Sequence, residues 1–282
     1  MSKPVIITAD STVDLSPELL ERFNIQVIPL TITLGETSFL DGHDFTPLDM
    51  FERYHKDGTL PKTAAPSIQQ FSDFFSSFVK EGYDVVHLDI SAELSSSYNY
   101  ACIASEEFDG VYVVDSMMLS TGIGLLAIEA AECRDIGMDA KEIFDHIEEL
   151  KYKVSTSFVL DTLEFMWKGG RCTGVTAFGA NLLHIKPGLE MTDGKLDIYK
   201  KYRGNMNHVY RQYITERLEG KKIRPGHIFL TESGEIDEDE IKELEELILQ
   251  LSGCKEIHHT MAGATVSSHC GPRTLGVLFI EE

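Results

Sequence analysis

Asp84-Val85-Val86-His87-Leu88-Asp89-Ile90-Ser91-Ala92-Glu93-Leu94-Ser95-Ser96-Ser97-Tyr98-Asn99 is the stretch that decides the fold. Residues 84–89 read as a buried strand, and Tyr98 to Ser105 reads as a helix. Four serines fall in the turn between them. The first turn of a helix leaves backbone N–H groups without partners, and the helix dipole adds partial positive charge there. Hydroxyls beside free amides suit a carboxylate or phosphate. The plain alternative is a serine-rich cap that only starts a helix.

The same strand-to-helix alternation extends in both directions. Pro4 to Ala9 is a short strand ending at Asp10-Ser11-Thr12, and Ser16-Pro17 starts a helix with Pro in its favoured first position. Ile25 to Leu34 reads as one strand region with an edge or bulge at Pro29. Thr46-Pro47 opens a helix to about Tyr54. Leu60 to Ser67 reads as a loop bracketed by two prolines, and Ser67 with Gln70 forms a capping box for a helix over Ile68 to Lys80. Val111 to Val114 is a strand ending at Asp115-Ser116. Gly122 to Cys133 and Asp139 to Tyr152 follow as helices. Alternation of this kind predicts a parallel α/β sheet, and ligands in such sheets bind beyond the carboxyl ends of the strands. Asp10-Ser11-Thr12, Ser91 to Ser97 and Asp115-Ser116 would converge on that edge.

The second half differs. Leu160 to Trp167 and Phe178 to His184 read as helices, and Gly188 to Met191 with Lys195 to Tyr202 reads as a hairpin around Asp193-Gly194. Helices follow over Asn205 to Leu218 and Asp237 to Leu251. His227 to Leu230, Lys255 to Thr260, Ala264 to Ser268 and Thr274 to Ile280 are strand-like. The expectation is an α/β protein of two domains. Residues 1–157 would form a Rossmann-like parallel-sheet domain, and residues 158–282 an α+β domain with a mixed sheet.

Composition removes several function classes. The formal net charge of −21 repels nucleic acid phosphates and anionic lipid headgroups. No run reaches the roughly 18 apolar residues of a membrane span. Five scattered cysteines without a C-x-x-C pair indicate neither a disulfide framework nor a zinc knuckle. A reducing, cytoplasmic setting is expected, and the N-terminus lacks the apolar region of a signal peptide.

Chemical motifs are sparse. Gly122-Ile123-Gly124-Leu125-Leu126-Ala127 matches G-x-G-x-x-A, but Ser116 to Thr121 separates it from the preceding strand, so helix packing explains it better than a dinucleotide site. No phosphate loop of the G-x-x-x-x-G-K-[ST] type occurs. Ser95, His269 and Asp115 could be assembled into a hydrolytic triad, yet G-x-S-x-G is absent. His258-His259 and His269-Cys270 lack metal-site spacing, so no metal is expected. Lys168-Gly169-Gly170-Arg171, Arg203-Gly204 and Val266 to Arg273 are polar, glycine-flanked loops.

Taken in order, several short segments resemble the DegV family of fatty acid-binding proteins. They are Asp10 to Leu15, Val27 to Leu30, Pro61 to Ser67, Ile90 to Ala101, Val114 to Ser116, Gly169-Gly170-Arg171, Ile185-Lys186-Pro187, Arg203-Gly204 and His269 to Pro272. The resemblance implies two α/β domains with a long-chain fatty acid, such as palmitate or oleate, between them. It implies that Thr63 and Ser95 hydrogen-bond the carboxylate, with Ser96, Ser97, Arg171, Arg203 and His269 nearby. It also implies a carrier rather than an enzyme, with no cofactor beyond the bound lipid, showing its cargo to an ATP-dependent fatty acid kinase that makes the acyl phosphate. Two departures stand out: Ser96 replaces a frequent Gly, and Arg273 stands where Gly often follows Gly-Pro. The alternatives are a serine-dependent hydrolase, an enzyme acting on a small phosphorylated metabolite, or a binding module for another amphipathic carboxylate.

Overall fold

Every residue of the first strand, β1 (Val5–Asp10), is buried, which a strand achieves only inside a sheet covered on both faces. The structure, a computed structural model, describes residues 3–171, 185–254 and 257–282. Helix α1 (Pro17–Arg22) leads to β2 (Ile25–Ile28). At Pro29 the chain leaves this sheet. β3 (Thr31–Leu34), β4 (Thr37–Leu40) and β5 (Lys62–Ala64) make a separate three-stranded antiparallel sheet in the order β4-β3-β5. The run Ile25 to Leu34 is therefore two strands in two sheets, because Pro29 cannot donate to a ladder. The expected loop over Leu60 to Ser67 contains β5, whose polar Lys62 and Thr63 hid it.

α2 (Pro47–Asp57) lies between β4 and β5, and α3 (Ile68–Lys80) returns the chain to the first sheet with both halves of its Ser67–Gln70 capping box formed. β6 (Asp84–Asp89), α4 (Ser97–Ser105) and β7 (Val111–Asp115) complete a parallel sheet ordered β2-β1-β6-β7. Phe71, Phe75, Ala101 and Ala104 of α3 and α4 cover one face against Ile6 and Val85. α5 (Thr121–Asp135) and α6 (Ala140–Leu150) cover the other.

α5 is buried on nearly all sides because it also packs against the second sheet. Its glycines are packing residues: a Cβ on Gly122 would stand 2.3 Å from Thr156 Oγ1, and one on Gly124 2.7 Å from Leu15 Cδ2. That accounts for the G-x-G-x-x-A pattern.

The second sheet is mixed. β8 (Val154–Val159), α7 (Glu164–Gly169), β9 (Lys186–Thr192), β10 (Lys195–Tyr202), α8 (Met206–Leu218), β11 (Ile223–Glu232), α9 (Glu238–Ser252), β12 (His258–Met261), α10 (Ala264–Cys270) and β13 (Leu275–Glu281) follow in order. The strands run β10-β9-β8-β13-β11-β12, antiparallel except for β11 with β12. α8 and α9 seal the face opposite α5.

Three expectations are corrected. β8 was not anticipated, and the break expected between 157 and 158 falls inside it, although its pairing with β13 begins at Val154. Residues 264–268 are helical, not extended. The helix expected from Leu160 starts at Glu164. The helix expected over Phe178 to His184 and the start of the strand at Lys255 lie outside the described residues.

Candidate ligand-binding site

The residues after β1 and β6 meet at one edge of the parallel sheet, where the segment after β12 comes up against them. Asp10 is fully buried and accepts hydrogen bonds from Thr12 N (3.0 Å), Thr12 Oγ1 (2.5 Å) and Ile90 N (3.1 Å). Burial, with the neighbouring Asp89 carboxylate, raises its pKa to about 6. Asp14 accepts from Ser120 Oγ (2.5 Å) and from Gly263 N (2.8 Å). Asp41 accepts from Ser11 Oγ (2.9 Å) and Thr265 N (3.3 Å). Burial raises the pKa of both. The first turn of α10 is thus held by two carboxylates from the opposite end of the chain.

α10 in turn forms one wall of a cavity of about 290 Å³. Its polar lining residues include Thr63, Ser95, Ser96, Arg171, Thr265 and His269, and its apolar ones Leu30, Ile90, Leu94, Leu119, Met166 and Val266. This volume is at the lower edge of the ~300–1,000 Å³ common for small-molecule pockets, far beyond what one water needs. A second space of about 30 Å³ shares Leu119, Val266 and Cys270 with it and continues past Phe158, Ala262 and Leu278.

Each polar group has a specific support. Thr63 is placed by pairing with Ile32. Its Oγ1 lies 3.2 Å from His269 Nε2. His269 Nδ1 is buried and has no hydrogen-bond partner. Its ring presses on Gly169, where a Cβ would come within 2.1 Å of Nδ1, so only glycine fits there. Burial, then the nearby Arg171 guanidinium, lowers the His269 pKa to about 4, so the imidazole is neutral at pH 7. Arg171 is exposed at the edge of the cavity and donates to Gly169 O (2.8 Å). Trp167, 62% exposed, follows the cavity-lining Met166 on α7.

In the serine turn, Ser95 Oγ accepts from Ser97 N (3.2 Å), which leaves its own proton free to be donated. Ser91 Oγ donates to Gly194 O (2.7 Å), tying the turn to the β9–β10 hairpin. Ser96 has φ −79°, a conformation open to any residue, so replacing a frequent Gly costs nothing in the backbone. Arg273 is different: its φ of 58° is the left-handed region where Gly is at ease.

The structure brings Thr63, Ser95, Ser96, Arg171 and His269 together around the cavity. It does not bring Ser97 or Arg203. The Ser97 hydroxyl is fully buried and donates to Asp89 Oδ1 (2.8 Å), because a serine at the first helical position here points under the turn. Arg203 is an exposed residue just beyond β10 and does not line the cavity. Among the described residues no hydrogen bond links Ser95, His269 and Asp115, and Asp115 Oδ1 is engaged by the amides of Ala92 and Met117. A hydrolytic triad is not formed. Thr265, Val266 and Cys270 also line the cavity and were not among the expected site residues; the strand reading of residues 264–268 hid the helical face that carries them.

Comparison with known proteins gives a consistent result. The model of the DegV family, described as a family of uncharacterised proteins, matches residues 4–282. A DegV domain-containing protein of Clostridium perfringens is 30% identical over 285 residues, covering 100% of both chains. A solved structure described as showing fatty acid binding of a DegV family protein from Thermus thermophilus superposes with a TM-score of 0.88 at 30% identity, covering 100% of each chain. A stearic acid-binding protein from Eubacterium ventriosum superposes with a TM-score of 0.84 at 25% identity, over 98% of this chain and 97% of the other.

Proposed function

The chain belongs to the DegV family, and from that membership we propose that it binds one long-chain fatty acid, with the carboxylate at Thr63 and Ser95 and the tail along the apolar walls. The observation that carries this reading is the polarity of the cavity. Hydroxyls and one cation share its lining with aliphatic side chains, and Thr63 and Arg171 both stand beside His269. The tail would pass Leu119 and Val266 toward the second, almost wholly apolar space.

The energetics suit a lipid. A sixteen-carbon chain buries roughly fifteen CH₂ or CH₃ groups, on the order of 12 kcal/mol gross at ~0.8 each. Association and ordering of the chain cancel much of this. An ionised carboxylate costs several kcal/mol to bury unless it is paired. Two hydroxyls return about 1 kcal/mol each. The neutral His269 contributes a hydrogen-bonding group and not a charge, so the positive charge would come from Arg171. Because Arg171 is exposed, the carboxylate end would be the end nearest solvent. That arrangement supports presentation of the carboxylate to a partner ATP-dependent kinase for acyl phosphate formation, with this chain as carrier and not catalyst. A cytoplasmic location accords with the four free cysteines among the described residues.

Native mass spectrometry followed by denaturing lipid extraction tests the reading. One fatty acid per chain is expected, and the Thr63→Ala/Ser95→Ala double variant should bind palmitate or oleate at least tenfold more weakly while staying folded. Protein that is empty as purified and takes up neither acid would overturn it.

A further inference from the structure

Remote from the acyl cavity, where α5 meets α6, lies a second chemically distinctive cluster. Glu129 and Cys133 are one helical turn apart on α5 and face the same way. His146 reaches them from α6. One ligand atom from each of the three falls within 4.8 Å of the others, and Glu129 Oε1 lies 2.8 Å from His146 Nε2. Glu129 and Cys133 are 8% and 6% exposed.

We propose that Glu129, Cys133 and His146 bind a divalent cation of the Zn²⁺ class. Carboxylate, thiolate and imidazole together are the donor set of zinc and not of calcium or magnesium, which take oxygen. Tetrahedral bonds of about 2.0–2.3 Å set the donors roughly 3.3–3.8 Å apart, so side-chain adjustments of about 1 Å close the site. A fourth ligand has space. A cavity of about 160 Å³, lined by Glu129, Glu132 and His227 among others, opens beside the cluster and has room for a coordinating water.

The fold also supplies a competitor. The β11 pairing is interrupted between Ile223 and Ile228, around Pro225-Gly226. In this interrupted stretch Arg224 Nη2 lies 3.0 Å from Glu129 Oε1, and His227 Nε2 lies 3.3 Å from Glu132 Oε1. Arg224 supplies the positive charge that an ion would bring, and it is 40% exposed and able to swing away. Burial, with the Glu129 carboxylate, pushes the Cys133 thiol up to about 11, so a cation must displace its proton. The pattern escaped the sequence reading because Glu129 and Cys133 share one helix while His146 is on the next, with no motif spacing between them.

The test is a titration of the EDTA-treated full chain with Co²⁺, followed by Zn²⁺. One Co²⁺ per chain is expected, with a near-ultraviolet thiolate-to-metal absorption that Zn²⁺ abolishes. Cys133→Ser should remove that band. His146→Gln, at a half-exposed position that spares the core, should weaken binding at least tenfold. Arg224→Ala should tighten binding severalfold by removing the competing cation. A band that survives Cys133→Ser, an affinity unmoved by His146→Gln, or weaker binding in Arg224→Ala would overturn the site and leave an ion-pair network joining α5, α6 and β11.

Discussion

Two loops at the same sheet edge, Asp10–Asp14 and Ser91–Ser97, carry similar residues and do different work. In the first, polar side chains are spent inward: Asp10 accepts three hydrogen bonds, from Thr12 N, Thr12 Oγ1 and Ile90 N, and Asp14 accepts one from Ser120 Oγ and one from Gly263 N. In the second, Ser91 and Ser97 are also spent, on Gly194 O and Asp89. Ser95 keeps a free donor, and Ser96 faces the cavity. Position beyond a strand end does not by itself mark a ligand group. What separates Ser95 from Ser97 is hydrogen-bonding capacity left unused by the fold.

The sharpest way to break this contrast is Asp14→Ala. It strands the part-buried Gly263 N–H and the buried Ser120 hydroxyl, at ~1–3 kcal/mol per orphaned group, so the chain should lose about 3 kcal/mol of stability in urea unfolding. A loss below about 0.5 kcal/mol would mean that the Asp10–Asp14 loop is not structural.

The next effect is smaller and depends on pH. The Asp10 pKa is about 6 in the folded chain against the ordinary carboxyl value of 3.8. The folded state therefore binds this proton more readily than the unfolded one. Its stabilising contribution is complete below the unfolded pKa and is lost as pH rises through about 6. Between pH 6.5 and 5 the wild type should gain about 1–2 kcal/mol relative to Asp10→Asn, whose slope lacks this component. Parallel pH profiles would show that Asp10 titrates normally.

The smallest effect separates neighbouring serines. Ser95→Ala should weaken fatty acid binding about fivefold, or ~1 kcal/mol, with little change in stability. Ser97→Ala should leave affinity unchanged and lower stability by about 1 kcal/mol. A reversed pattern, read by isothermal titration and thermal unfolding, would exchange their assignments.

The segments that line the cavity stood out in the sequence as short polar runs between strong strand and helix signals, and the family resemblance supplied the roles of their residues. Thr63, Ser95, Ser96, Arg171 and His269, which the family resemblance implied, all line the cavity. What stayed hidden depended on distant partners. β8 reads as Val-Ser-Thr-Ser-Phe-Val, a polar run for a buried strand, and its serines are satisfied in the interior by Tyr213 and Arg217. α10 has β-branched and small residues that favour a strand, and its helical start is held by Asp14 and Asp41, more than 200 positions earlier in the chain. Ser97 could not be told from Ser95 by type, since only the position of Asp89 beneath the turn separates them.

The chain contains one tryptophan, Trp167, and it lies on α7 between Met166 of the cavity wall and Gly169 beneath His269. Intrinsic indole emission from this protein therefore carries information about one place only. Its fluorescence is a local record of the short helix beside the pocket, obtained without attaching a dye.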